Sequence, residues 1–324
     1  MTENPYIKQF PELMRGKTVL YCHGFASSGQ SGTVTRLREV MPQARVVAPD
    51  IPIHPQEAIT LLHQTCEKEQ PDLIIGTSMG GMYAEQLRGY DRICVNPALE
   101  MGETMKAHGM TGTQQFQNPR QDGIQEFYVD KALVKEYKEQ SEHRFEGITP
   151  EEQQRVYGLF GDEDTTVDTY DMFRAHYPQA LHFHGEHRMN DQSFMHSVVP
   201  VIRWIDDKQE KRERPIIYIG IETLMDSYQK PASSMMKAVR VLIEHYQVYF
   251  VGEDATAATW LEQYVNVPAW RHTVYTWRRD LLYGDYLISK NKEEATMATL
   301  LEYGSDTFKT WEDIIEYFSR LGGQ

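Results

Sequence analysis

One short segment constrains the fold more than any other, the sequence GTSMGG at positions 76–81. It follows an apolar run at 73–75 that is typical of a buried strand, and it precedes apolar residues spaced as in a helix. A serine at the centre of Gly-x-Ser-x-Gly in this setting predicts a tight, strained turn whose flanking positions must lack side chains. The segment therefore predicts that Ser78 projects from the end of a sheet as a nucleophile.

The position of Ser78 also suits the chemistry of attack. Its oxygen would lie at the N-terminus of the following helix, where the helix dipole favours a developing negative charge. A glycine-rich loop that only turns a corner is the alternative. The strand and helix patterns on the two sides favour the nucleophile.

Composition excludes several classes of function. With 324 residues and 40% hydrophobic content, the chain can bury a sizeable core and divide into two domains. A formal net charge of −14 without a basic block argues against nucleic acid or an anionic membrane as a partner. The first 17 residues show no secretion signal, and no apolar run reaches the roughly 18 residues that span a bilayer. We therefore expect a cytoplasmic enzyme.

The first 95 residues alternate between strand and helix patterns. Apolar strands are predicted at 18–22, 45–48, 72–75 and 91–95, and amphipathic helices at 33–41 and 56–67. This alternation is expected of a parallel sheet that is covered by helices on both faces. The predicted fold class is therefore α/β.

A His-Gly pair follows the first predicted strand, at His23 and Gly24. Such a pair can place a backbone N–H where the oxyanion of the reaction forms. We expect the N–H groups of Phe25 and Met79 to form this oxyanion hole. Because His-Gly pairs are common in loops, the expectation depends on the Ser78 turn.

The residues at about 99–150 are polar and irregular, apart from a predicted helix at 131–140. An insertion at this point of the chain would form a cap above the nucleophile and select the substrate. A solvated linker without chemical consequence is the alternative.

The base and the acid that would activate Ser78 are expected on two later loops. Predicted strands at 155–160 and 180–184 are followed by the acidic loop GDEDTTVD at 161–168 and by His187. An acid on such a loop holds a catalytic imidazole in the correct tautomer. The pattern favours Asp164, with Asp162 as the alternative. Three further histidines are expected to be packed or solvated: His182, His184 and His196.

These motifs carry a resemblance. The segments LYCHGFASSGQSGTVTRL, IIGTSMGGMYAEQL, ICVNPAL and LFGDED, with a following GEH, resemble the bacterial YqiA/YcfP-type family of α/β-hydrolase esterases over about residues 17–206. The resemblance implies carboxylesterase or acyl-thioesterase activity on modest acyl chains, without a cofactor. The acidic loop is longer than is usual in that family.

A charged break begins at 206 and predicts a linker at 208–214, after a first domain at 1–207. A second α/β pattern then occupies 215–324, with strands at 216–219 and 247–251 and helices at 233–245 and 256–264. A final helix would place Trp311, Ile314, Ile315 and Phe318 on one face. We therefore expect a second, smaller doubly wound domain.

The second half resembles haloacid dehalogenase-type phosphatases of the 5′(3′)-deoxyribonucleotidase branch. The segments IIYIGIETLMD, AVRVLIEHYQVYFVGED, RRDLLYGDYLIS and YGSDTFKTWEDIIEYF carry this resemblance. The family's chemistry needs an aspartate nucleophile, a hydroxyl and an acidic pair for Mg²⁺. The matching positions here are Gly220, Gly252 and the pair Ser289-Lys290, while Glu222 matches a second acid and Arg279 stands for a lysine. Since glycine cannot attack phosphorus, the resemblance implies a catalytically inactive domain.

The sequence thus predicts a cofactor-free serine hydrolase that acts on a small acyl ester or thioester. Ser78, His187 and Asp164 would be catalytic, and no metal is expected. The second domain would bind a ligand, cover the hydrolase or form a homo-oligomer, unless its role is only architectural; Arg279 and Lys290 leave an anion pocket open. The alternatives for the whole chain are a non-catalytic binding protein and a Mg²⁺-dependent nucleotidase.

Overall fold

The computed structural model describes residues 12–292 and 296–321. The expectation that the first residues carry no secretion signal falls largely on residues outside this description. The chain divides into two compact units, Met1–Asp206 (unit 1) and Asp207–Gln324 (unit 2). Each unit is described by itself.

Unit 1 is built on a parallel sheet. Its strands are β1 Thr18–Cys22, β2 Arg45–Val47, β3 Leu73–Thr77, β4 Arg92–Val95, β5 Gly112–Gln115, β6 Glu126–Val129, β7 Val156–Gly161 and β8 Ala180–Phe183. The sheet has the order β2-β1-β3-β4-β7-β8, and its strand pairs are parallel. β5 and β6 form a separate antiparallel hairpin. β1, β3 and β4 are almost wholly buried, as expected of strands that are covered on both faces.

Helices connect these strands. They are α1 Gly32–Val40, α2 Pro55–Glu69, α3 Met79–Gln86, α4 Met101–Ala107, α5 Lys131–Ser141, α6 Pro150–Gln153, α7 Tyr170–Arg174, α8 Asp191–Ser193 and α9 Val199–Glu210, with a π-helical turn Phe194–Val198 before α9. Local signals explain several helix ends. Pro55 lies in the first turn of α2, and the carboxylate of Asp130 caps α5 by accepting a hydrogen bond from the N–H of Leu133 at 2.8 Å. The predicted α/β fold class is confirmed.

The insertion at 99–150 has more regular structure than its sequence predicts. The predicted helix forms as α5, but α4 and the β5–β6 hairpin also lie in this segment. In β6, Phe127 and Val129 are buried while Glu126 and Tyr128 are exposed. Because four alternating residues are too few for the period to be recognised, the hairpin was missed.

Of the element boundaries that differ from prediction, two concern the predicted linker and the position of His184. α9 runs to Glu210, so the first three residues of the predicted linker at 208–214 are helical. Lys, Gln and Glu are good helix formers, and a run of charge is therefore a poor sign of a helix end. β8 ends at Phe183, and His184 lies beyond the strand in which it was predicted.

Unit 2 has a second parallel sheet. Its strands are β9 Ile216–Gly220, β10 Gln247–Gly252, β11 Thr273–Tyr275, β12 Tyr286–Ser289 and β13 Thr299–Glu302. They run in the order β11-β10-β9-β12-β13 with parallel pairs. Its helices are α10 Ile221–Leu224, α11 Met235–His245, α12 Ala255–Tyr264 and α13 Trp311–Leu321. Most of the predicted face of α13 is buried: Trp311, Ile314 and Phe318 lie in the core of the unit, and Ile315 is partly buried against it.

Candidate active site

Ser78 lies in a strained turn between β3 and α3. Its backbone has φ 54° and ψ −120°, a conformation that a residue with a side chain rarely adopts. A Cβ on Gly76 would lie 2.7 Å from the Cβ of Ala84, and one on Gly80 would lie 2.6 Å from the carbonyl oxygen of His23. These distances are too short for real contacts, so both glycines are required by the close packing of α3 against the sheet.

The structure brings Ser78, His187 and Asp164 together. Nε2 of His187 lies 2.9 Å from Oγ of Ser78, and Nδ1 of the same ring lies 2.7 Å from Oδ2 of Asp164. The carboxylate side chain is only 3% exposed and the imidazole 18%. The three groups therefore form a continuous, largely water-excluded chain of hydrogen bonds from the acid to the hydroxyl.

The carboxylate of Asp164 is fixed by its own loop. Its Oδ1 accepts hydrogen bonds from the N–H groups of Thr166, at 2.7 Å, and Val167, at 3.1 Å. Burial raises the pKa of this carboxyl, but the hydrogen bonds from His187 and these N–H groups outweigh burial and hold the pKa below its usual value. The acid is therefore ionised at neutral pH, as an imidazole partner requires.

The alternative acid has a different partner. Asp162 bonds Nδ1 of His184 through Oδ2, and its Oδ1 accepts a hydrogen bond from the N–H of Gly185 at 3.1 Å. His182 is exposed and packs against the ring of Tyr170. His196 lies in the π-helical turn before α9. The structure therefore joins Asp164, and not Asp162, to the imidazole that contacts Ser78.

The two residues expected to form the oxyanion hole flank this serine. Met79 is the first residue of α3, and Phe25 lies in the turn after β1. Within the described residues, neither of their N–H groups donates a hydrogen bond to the protein. Gly24 passes close to the serine, because a Cβ placed on it would lie 3.5 Å from the Cβ of Ser78. Both N–H groups thus lack an acceptor among the described residues of the protein.

His23 orients the Phe25 peptide, a role that the sequence did not predict. Its Nε2 accepts a hydrogen bond from the N–H of Ile51 at 2.9 Å, so its Nδ1 carries the proton and donates to the carbonyl oxygen of Gly24 at 2.8 Å. The peptide is trans, so the N–H of Phe25 points away from that carbonyl. Burial lowers the pKa of His23 to about 4. The ring is therefore neutral. The His-Gly pair was the sequence signal from which this role of His23 could have been predicted.

The insertion contacts the loop that carries Phe25. The N–H of Gln117 donates to the carbonyl oxygen of Ala26 at 2.8 Å, and Oγ of Ser28 donates to that of Pro119 at 2.6 Å. The ring of Phe25 packs edge-on against Phe127 at 5.3 Å between centroids. This part of the insertion therefore packs against the loop that carries Phe25, in part through an aromatic side chain.

The corresponding edge of unit 2 carries an ion pair. Arg279 binds the carboxylate of Glu222 through two hydrogen bonds of 2.9 Å, and Oγ of Ser289 lies 3.2 Å from Oε1 of Glu222. A Cβ on Gly220 would lie 2.7 Å from Cδ of that carboxylate. Lys290 donates to the carbonyl oxygen of Met225 at 3.3 Å. The space beside Gly220 is therefore filled from within the unit.

Two features are absent from the residues that the structure describes. Among them, no set of three or more His, Cys, Asp or Glu side chains is arranged to hold a metal ion. In the same ranges, 12–292 and 296–321, every helix is too short or too polar to cross a bilayer.

Several proteins of known sequence or structure are similar to this chain. A putative 5′(3′)-deoxyribonucleotidase of Vibrio phage KVP40 is 20% identical over 151 aligned residues, which cover 35% of this chain and 89% of that protein. Est1E from Butyrivibrio proteoclasticus, in a structure with bound ferulic acid, is 14% identical to this chain, with a TM-score of 0.42. The match covers 63% of this chain and 91% of the Est1E chain. A marine microorganism esterase is 15% identical with a TM-score of 0.38, over 60% of this chain and 95% of its own.

A protein family also matches the sequence, under the description Uncharacterised protein family (UPF0227). The match covers residues 18–199, and these contain Ser78, Asp164, His187 and both oxyanion-hole candidates. It spans more than half of the 324 residues, so the chain belongs to this family.

Proposed function

We propose that unit 1 is a serine hydrolase that cleaves small carboxylic esters or thioesters through an acyl-serine intermediate. The observation that supports this most directly is the pair of contacts of the His187 ring, 2.9 Å to the hydroxyl of Ser78 and 2.7 Å to the carboxylate of Asp164. A weak nucleophile becomes reactive when an oriented base lies within hydrogen-bonding distance of it. The open N–H groups beside the serine add a place for the oxyanion.

The proposed reaction proceeds in two halves. Ser78 attacks the carbonyl carbon while Nε2 of His187 takes its proton, and Asp164 stabilises the imidazolium that forms. The N–H groups of Phe25 and Met79 donate to the oxyanion. Collapse of the tetrahedral intermediate releases the alcohol or thiol, which receives the proton from His187. Water then attacks the acyl-serine with His187 again as the base, and the acid is released.

The aromatic side chains near the loop that carries Phe25 favour a substrate with an apolar acyl group of modest size. Phe25 packs against Phe127 and Tyr137, and Phe127 packs against Phe116, so aromatic rings line this side of the insertion. Apolar walls of this kind favour transfer of an alkyl or aryl group out of water. Resemblance to the YqiA/YcfP-type esterases suggests the same class of substrate.

The test is labelling with a fluorophosphonate probe, which reacts only with an activated serine. Wild type should label, Ser78→Ala should not, and wild type should hydrolyse p-nitrophenyl esters from acetate to octanoate with a preference for the shorter chains. If the folded wild type neither labels nor hydrolyses any ester, the chain is a binding protein and not a hydrolase.

For unit 2 we propose a domain related to haloacid dehalogenase-type phosphatases that has no phosphatase activity. The resemblance of its sequence and the likeness to the phage protein support the relationship. Gly220 offers no nucleophile, and the neighbouring space holds the Glu222–Arg279 ion pair. Incubation of the protein with nucleoside monophosphates and Mg²⁺ should release no phosphate, and release that survives Ser78→Ala would overturn the proposal.

A further inference from the structure

The segment that follows β4, residues 95–98, lies between the nucleophile and the base. The N–H of Ser78 donates to the carbonyl oxygen of Val95 at 2.9 Å, and the N–H of Ala98 donates to the carbonyl oxygen of Ser78 at 3.0 Å. The backbone of Ser78 is thus hydrogen-bonded to one residue before Asn96 and to one residue after it. A displacement of this segment would move the serine with it.

The side chain of Asn96 holds the loops on the other side. Its Nδ2 donates to the carbonyl oxygens of His187, at 3.0 Å, and Glu186, at 3.2 Å. Its Oδ1 accepts a hydrogen bond from the N–H of Gly161 at 2.7 Å. Two carbonyl oxygens require the amide nitrogen and one N–H requires the amide oxygen, so this arrangement fixes the orientation of the amide group. One side chain therefore binds both the histidine loop and the start of the acid loop.

The backbone at Asn96 is adapted to this task. Asn96 is only 1% exposed and has φ 42°, in the left-handed region that asparagine tolerates better than most residues. Its own N–H donates to the carbonyl oxygen of Leu159 at 2.8 Å, which fixes it on β7. The two loops are also packed tightly, since a Cβ on Gly161 would lie 3.0 Å from the carbonyl oxygen of Glu186.

We propose that Asn96 is a positioning residue that sets the distance between the imidazole of His187 and the hydroxyl of Ser78. It touches neither reacting group, and it acts through the main chain of His187 on one side and the main chain next to Ser78 on the other. This inference rests on the proposed hydrolase function of the same site. Loss of the amide would remove this partner from two partly buried carbonyl oxygens and one N–H, and the histidine loop would move to satisfy them with water.

Two substitutions test the role. Asn96→Gly keeps a residue that accepts a positive φ but removes all three side-chain hydrogen bonds. Asn96→Asp keeps the size and the acceptor for Gly161, but it turns a carboxylate oxygen toward the two carbonyl oxygens. A misplacement of about 1 Å costs on the order of 100-fold in rate. We therefore expect kcat for an ester to fall about 100-fold in both variants, with KM within about threefold, and the fluorophosphonate labelling rate to fall in parallel.

Asn266→Gly in unit 2 is a matched control. Asn266 also has a positive φ, 64°, and its side chain also bonds backbone groups: Oδ1 accepts from the N–H of Val267 at 2.9 Å, and Nδ2 donates to the carbonyl oxygen of Glu262 at 3.2 Å. Its replacement should also lower stability, but by less, because Asn266 is only partly buried and loses two side-chain hydrogen bonds instead of three. It should leave kcat and the labelling rate of unit 1 unchanged.

A spectroscopic readout separates positioning from stability. The Nδ1 proton of His187, shared with Asp164, should give a strongly downfield proton resonance that weakens in the folded Asn96 variants and persists in Asn266→Gly. A folded Asn96 variant with wild-type kcat, labelling rate and resonance would overturn the positioning role, and the second variant decides if the first fails to fold. If the wild type itself does not label at Ser78, the proposed hydrolase function fails instead, and the resonance still reports whether Asn96 holds His187.

Discussion

Replacement of Asp164 by asparagine tests the arrangement of the site most sharply. Oδ1 of Asp164 is fixed by two backbone N–H groups, those of Thr166 and Val167. An asparagine would keep its amide oxygen at this position, so its NH₂ group would face Nδ1 of His187. That nitrogen must then accept a hydrogen bond, the proton moves to Nε2, and the ring can no longer take the proton of Ser78.

The expected loss follows from the groups involved. Asp164→Asn removes a charge-assisted hydrogen bond to the imidazolium, worth about 2–3 kcal/mol, and it favours the wrong tautomer by about a further 2 kcal/mol. Together these raise the barrier by about 4–5 kcal/mol, which corresponds to a fall in kcat/KM of roughly 10³–10⁴-fold. The assay is hydrolysis of the best p-nitrophenyl ester of the panel, with the labelling rate as a second measure.

Asp162→Asn provides the control. It makes the same chemical change two positions away, on a carboxylate whose imidazole partner is His184. We expect its kcat/KM to stay within a few-fold of wild type. If Asp162→Asn lost the activity while Asp164→Asn retained it, the assignment of the acid would be wrong.

Three further predictions concern His23, Gly80 and Gly220. Burial lowers the pKa of His23 from 6.5 to about 4, so between these pH values the unfolded chain binds a proton that the folded chain does not bind. The free energy of unfolding should therefore fall by roughly 3 kcal/mol between pH 6.5 and pH 4. Denaturant titrations should show a smaller fall in His23→Gln. Gly80→Ala places a methyl group 2.6 Å from a backbone carbonyl oxygen and should destabilise unit 1 by at least about 3 kcal/mol. A melting temperature close to that of the wild type would contradict the close packing at Gly80. Gly220→Asp should not create phosphatase activity against p-nitrophenyl phosphate with Mg²⁺, because Glu222 occupies the space; phosphate release would refute this.

Local signals were sufficient to predict the fold class and the strained turn that carries Ser78. The Gly-x-Ser-x-Gly turn needs only a few consecutive residues, and Gly76 reflects a contact with the nearby Ala84, whereas Gly80 reflects a contact with His23, which lies far earlier in the chain. The strands and helices whose bounds were predicted from the periods end within two residues of their observed ends. The hairpin of the insertion was missed because its strands are short and half exposed.

The remaining features depend on contacts between loops that are remote in sequence. Asp162 and Asp164 are the same residue type, but they bond different imidazoles. The backbone N–H groups of Thr166 and Val167 fix the carboxylate of Asp164 and not that of Asp162. The role of Asn96 is similar, since its partners are the last residue of β7 and two residues that follow β8, at least 65 positions away in the chain. No local pattern encodes such a contact, and only the assembled sheet brings these loop ends to one edge.

Each of the two units has a parallel sheet, but different groups occupy the turn at the end of its central strand. Both carry a turn at the carboxyl end of a central parallel strand, where ligands commonly bind in such sheets. At the end of β3, glycines remove side chains so that Ser78 can project with open N–H groups beside it. At the end of β9, the space beside Gly220 is filled by the carboxylate of Glu222, and Arg279 neutralises its charge. A glycine at such a position therefore does not by itself indicate a site, because the outcome depends on whether a neighbouring side chain occupies the space that it leaves.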